Sequence, residues 1–140
     1  MQDFANCVLK IGFKYGYYNN RSMLVTVEYN NQVDEIVPKD GVAIYTQKIH
    51  LPTSIKINTS GKQPNDTTVD NNGNIVEDMF VEIVSIELDS FHMSDLFLHQ
   101  KIKIYGQDET YNTNYIGVNG HAVIEFSEEN IFAQVCKKWE

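Results

Sequence analysis

Cys7-Val8-Leu9-Lys10-Ile11-Gly12-Phe13-Lys14-Tyr15 is the stretch whose reading decides the fold. Cys7, Leu9, Ile11, Phe13 and Tyr15 alternate with Val8, Lys10, Gly12 and Lys14. Successive side chains on a strand point to opposite faces, so the alternation gives one dry face and one wet face. The rhythm returns in Met23, Val25, Val27 and Tyr29, and again in Ile55 and Ile57 against Ser54, Lys56 and Asn58. No segment keeps a helical period for long. The pattern predicts an all-β chain, an antiparallel two-sheet β-sandwich, jelly-roll-like and with minimal helix. Connections of unequal length favour a sandwich over a closed barrel.

Working outward, strands are expected over 6–15, 22–29, 32–37, 42–50, 53–59, 79–91, 98–105, 112–118, 120–126 and 130–137. Asn19-Asn20, Asn30-Asn31, Asp40-Gly41 and Asn119-Gly120 supply the residues that tight hairpin turns demand. In 79–91 the apolar phase slips: Val81 and Ile83 share one parity, then Val84, Ile86 and Leu88 take the other. A β-bulge near Ile83-Val84, or burial on both faces, accounts for the slip. The segment 92–99 reads as a short helical turn capped by Ser94 or as a loop with buried side chains. The stretch 60–78 is rich in Gly, Asn, Asp and Thr and is too long for an ordinary hairpin loop. The predicted core is Leu9, Ile11, Phe13, Val25, Val27, Ile55, Ile57, Ile86, Leu88, Ile102, Ile104, Ile124 and Phe126.

A length of 140 residues suits one domain, 1–140, large enough to fold without metal or disulfide help. Acidic residues outnumber basic ones 19 to 11, for a net charge of −8. A phosphate backbone is held by clustered cations, so direct nucleic-acid binding is excluded. The N-terminus MQDFANCVLK lacks the pattern of a secretory signal, and no apolar run reaches bilayer length. The expectation is a chain without membrane insertion, cytoplasmic or particle-associated. In that setting Cys7 and Cys136 read as reduced thiols, although termini that lie close together would allow a bridge.

Three groups of residues bear on chemistry. Asp66, Asp70, Asn72, Asn74, Glu77 and Asp78 supply the hard oxygens that Ca²⁺ prefers, and are the candidate metal ligands. They do not follow the EF-hand pattern, since Ile75 stands where its glycine belongs, and the favoured reading is a plain exposed loop whose Asn, Asp and Gly only satisfy turn geometry. His50, His92, His99 and His121 fall in separate elements with no zinc spacing, and no nucleophile elbow is present. The chain is therefore expected not to be an enzyme and to need no cofactor beyond a structural calcium. The third group is aromatic and amide: Tyr105, Tyr111, Asn112, Asn114, Tyr115 and Asn119 are the candidate ligand-binding residues. Tyrosine and asparagine suit recognition, and the alternation Tyr111, Thr113, Tyr115 would place two rings on one strand face, ~13 Å apart. The alternative is that these rings pack on the sheet with only their hydroxyls wet.

Ile83–Leu88, Lys101–Gly106, Thr113-Asn114-Tyr115-Ile116-Gly117-Val118-Asn119-Gly120 and Val123–Phe126 together give the second half of the chain a likeness. It resembles the non-catalytic β-sandwich modules that bind carbohydrate. The resemblance implies a glycan ligand held by a Tyr/Asn-lined sheet face or loops, and a structural Ca²⁺ in the 66–78 loop. The tryptophan platform of many such modules has no counterpart here, because the single Trp is Trp139. Small signal-less β domains that assemble virions or phage-like particles look similar too. A structural, oligomer-forming protein is thus the second reading, and its partner would be protein rather than glycan.

Overall fold

A computed structural model describes residues 6–63, 67–69, 71–93, 101–106 and 110–127, without the side chains of residues 67 and 75–77. The molecule is all-β, with two antiparallel sheets that are not closed into a barrel. The strands are β1 (Asn6–Gly16), β2 (Leu24–Tyr29), β3 (Gln32–Ile36), β4 (Val42–His50), β5 (Thr53–Ser60), β6 (Thr67–Val69), β7 (Ile75–Asp78), β8 (Phe80–Leu88), β9 (Phe91–His92), β10 (Ile102–Tyr105), β11 (Thr110–Asn112), β12 (Tyr115–Ile116) and β13 (Gly120–Phe126). One sheet runs β12-β8-β1-β4, with β9 also on β8; the other runs β11-β10-β13-β5-β2-β3. β6 and β7 form a small hairpin of their own inside the stretch expected to be a loop.

The inward faces interdigitate to make one core. Every member of the predicted core is buried. Met23, Met79, Val81, Ile83 and Ile116 are among the further residues buried with it. The expected bulge is present. Gly12 pairs with Ser85 while Phe13 pairs with Ile83, so Val84 is the extra residue and turns outward. The phase slip in the sequence is the signature of that insertion.

Among the described residues, four two-residue turns have both central residues at positive φ: Asn19-Asn20, Asn30-Asn31, Asp40-Gly41 and Asp89-Ser90. This is the turn whose twist matches paired strands, and short Asn and Asp side chains tolerate it where other residues do not. The last of them divides the strand expected over 79–91 into β8 and β9. The helical turn expected over 92–99 is replaced by strand at His92 and by a buried Met93; residues 94–99 lie outside the described part. The strand expected over 130–137, and with it Cys136, also lies outside the described residues. Cys7 is buried with a free thiol.

The 112–118 strand is corrected. The chain leaves the six-stranded sheet after Asn112 and enters the five-stranded sheet at Tyr115, where it pairs with Glu82. Tyr111 and Tyr115 therefore sit on different sheets and do not share a strand face. Nor is Asn119-Gly120 a hairpin turn, since β12 and β13 belong to different sheets. Glycine is needed at 120 for a close approach: a Cβ there would lie 2.2 Å from the Tyr105 carbonyl oxygen.

Candidate functional site

The residues nominated from sequence divide into a structural set and a surface set. The structural set fastens the crossing from β11 to β13. The Asn114 side-chain amide donates to the Ile83 carbonyl at 2.9 Å, and the Ile83 amide donates to the Asn114 carbonyl at 2.8 Å. Asn119 clamps the backbone of Lys62: its oxygen accepts from the Lys62 amide at 2.9 Å, and its nitrogen donates to the Lys62 carbonyl at 2.7 Å. The Lys62 ammonium reaches the Asp78 Oδ1 and the Gly117 carbonyl, each at 2.6 Å. The Tyr115 hydroxyl donates to the Asp78 Oδ2, and its ring stacks on Phe80 with centroids 4.6 Å apart. Burial, then the bond to Asp78, pushes the Tyr115 hydroxyl well above its ordinary range. This set holds the sandwich together; its amides are turned to backbone rather than to solvent.

Of the candidate calcium ligands, Asp78 is thus engaged by an ammonium and a phenol, and Asn72 and Asn74 are exposed on the β6–β7 hairpin. Asp66 and Asp70, and the Glu77 side chain, lie outside the described part. Among the described residues no group of three His, Cys, Asp or Glu side chains is placed to hold a metal ion.

The surface set lies on the outer face of the six-stranded sheet, where cross-strand register builds two rows. One runs Thr110, Tyr105, His121, Asn58, Thr26, Glu35; the other runs Asn112, Lys103, Val123, Lys56, Glu28, Val33. The Tyr105 and His121 rings stack with centroids 4.8 Å apart, and the Lys103 ammonium lies 5.3 Å from the centre of the Tyr105 ring. The phenol so offers its edge and hydroxyl more than an open platform. The Asn58 amide donates to the Thr26 hydroxyl at 3.3 Å and to a Glu28 carboxylate oxygen at 3.2 Å. Beyond Glu28 the face dips into a groove of about 400 Å³ lined by Glu28, Asn30, Asn31, Val33, Ser54 and Lys56. Sequence reasoning found Tyr105 and Asn112 but missed His121, Asn58, Thr26, Glu28 and Lys56. They come from three strands, β13, β5 and β2, and only register brings them into line.

A second depression, about 470 Å³, lies at one end of the sandwich between Cys7, Tyr29, Lys48, His50 and Asp89. Two of its polar side chains serve the fold: Asp89 accepts from the Val8 amide at 2.7 Å, and Tyr29 accepts from the His50 amide at 2.9 Å. Burial and the Asp89 carboxylate push the Cys7 thiol up to about 11, the reverse of what activates a nucleophilic cysteine.

No family model, no curated protein and no solved structure matches this chain. Among the described residues no helix is long and apolar enough to cross a membrane.

Proposed function

We propose that this protein is a non-catalytic binding module whose ligand, a glycan, lies across the outer face of the six-stranded sheet. The observation that carries the reading is the row Tyr105, His121, Asn58, Thr26 in register, continued through Glu28 to the groove beside Asn30 and Asn31. Phenol, imidazole, amide, hydroxyl and carboxylate alternate along it. They supply donors and acceptors at each strand spacing of ~4.8 Å, which fits a polyhydroxylated, extended ligand better than a compact apolar one. A rigid sheet presents these groups at little ordering cost. The site differs from the loop surface nominated by sequence, because Asn114, Tyr115 and Asn119 serve the fold. Calcium has no part in the reading, and equal melting temperatures in millimolar Ca²⁺ and in chelator are its expected consequence.

A glycan array followed by calorimetry on the best ligand tests the proposal. Tyr105→Ala, His121→Ala and Asn58→Ala should each weaken binding about tenfold, the worth of one hydrogen bond or ring contact, with the melting transition little changed. Wild-type protein that binds nothing on the array overturns it. So does binding that survives all three substitutions. The competing reading, an assembly protein of a particle, is favoured by one observation on the opposite face, an exposed apolar stripe. A symmetric oligomer without glycan binding would choose that reading.

A further inference from the structure

The outer face of the five-stranded sheet is built unlike its counterpart. Its register sets three rows across β4, β1, β8 and the β12 or β9 edge. The first is Val42, Lys14, Glu82, Tyr115; the second is Ile44, Gly12 and the Val84-Ser85 bulge; the third is Thr46, Lys10, Glu87, His92. Val42, Ile44 and Val84 are 55%, 72% and 44% exposed, a large apolar outlay for a solvent-facing sheet. Gly12 has no side chain of its own and is covered by the Ser85 hydroxyl, which stands where a Cβ would be, with Val84 beside it.

We infer that this face packs against the same face of a second copy, about a two-fold axis parallel to the strands and running between β1 and β8. Such an axis carries β8 of one copy over β1 of the other while keeping the level along the strand. Lys14 then meets Glu82 of the second copy, and Lys10 meets its Glu87, so two rows give four intermolecular ion pairs. Between them the outward Val84 of each copy falls on the Ser85 side chain that covers the other's Gly12. One strand further out, Val42 falls on the other copy's Tyr115 ring. The two charged rows are self-complementary under this one operation, as an isologous interface requires.

Charge points the same way. The chain carries −8 overall, so two copies repel except where a face is locally balanced, and here two lysines stand against two glutamates. Strands ~4.8 Å apart and about seven residues long give about 500 Å² of face, or about 1,000 Å² for the pair. That sits at the low end of specific interfaces, so the dimer is a reversible one, set by concentration. The operation leaves the six-stranded faces pointing outward on opposite sides, and the inference does not depend on what they bind.

Sedimentation velocity from about 5 to about 500 µM tests it, with mass expected to rise from 16.1 kDa toward twice that value. Reversing one column in Lys10→Glu/Lys14→Glu, or the other in Glu82→Lys/Glu87→Lys, should weaken self-association about a hundredfold. An equimolar mixture of the two reversed chains should recover it, because one copy's glutamates then face the other's lysines. Val84→Asp, at an exposed bulge, should weaken it comparably and decides the matter if a reversed chain fails to fold. A wild type that stays monomeric at the highest concentration, or a dimer indifferent to all three changes, overturns the inference.

Discussion

The two outer faces of this sandwich rest on one core yet are chemically unlike. The six-stranded face carries hydrogen-bonding side chains in register, interrupted by exposed Leu24 and Val33, with the Tyr105–His121 stack at one end and a groove at the other. The five-stranded face is an apolar stripe, Ile44 to Val84, railed by lysines and glutamates. A sheet needs only one dry face to fold. What it places on the other face is free of that demand. The contrast is one of chemistry: hydrogen-bonding groups set in register on one face, and apolar shape flanked by paired charge on the other.

The sharpest way to break the comparison is to remove what both faces share. Ile86 is fully buried on β8 against Ile11 of β1. Ile86→Ala should cost about 3–4 kcal/mol by chemical denaturation, degrading glycan binding and self-association together. A loss that spared one face would mean that the faces are supported separately.

A smaller effect is expected where the chain passes between the sheets. Asp78→Ala strands the Lys62 ammonium and the Tyr115 hydroxyl, whose partner it is, and should cost about 2–3 kcal/mol. Buried tyrosines, Tyr115 of this cluster among them, give a pH signature. Burial holds the hydroxyls of Tyr15, Tyr45 and Tyr115 above their ordinary value of 10.0. Below pH 10 each is neutral in both the folded and the unfolded chain, so nothing is lost. Above it the unfolded chain releases its protons first, and stability falls as pH rises. Tyr115→Phe should be less stable than wild type at pH 7 and should show a shallower alkaline loss, read from denaturation midpoints at pH 7 and above pH 10.

The smallest effect tests how the five-stranded sheet is sealed. The Tyr45 hydroxyl is buried and meets no hydrogen-bond partner among the described residues. Removing an unsatisfied buried group relieves its desolvation, so Tyr45→Phe should be neutral or stabilising by up to ~1 kcal/mol. A clear destabilisation would show that the hydroxyl is satisfied in solution.

How much of this was legible beforehand varies by element. Period two in 7–15, 23–29 and 55–57 marked the inward faces correctly, because alternation is a local property of an extended chain. The bulge at Val84 was legible for the same reason, as a break in that alternation. Asp89-Ser90 escaped notice because Phe91 continues the apolar run past the turn and neither residue is Gly or Asn. The crossing at 113–114 escaped because Tyr111, Thr113 and Tyr115 imitate a continuous strand while the chain changes sheets.

By itself, then, the sequence determined the class of fold, the core and three of the four positive-φ turns. Those depend on which side chain follows which and on what conformation each residue tolerates. Only the tertiary structure decided which polar residues act together. His121, Asn58 and Thr26 lie far apart in the chain, as do Gly12 and Val84, and are neighbours solely through strand order and register. Register is set by long-range pairing of whole strands around a shared core, so local pattern does not encode it. The same physics turned Asn119 and Asn114 inward to backbone partners, where a linear reading had given them to a ligand.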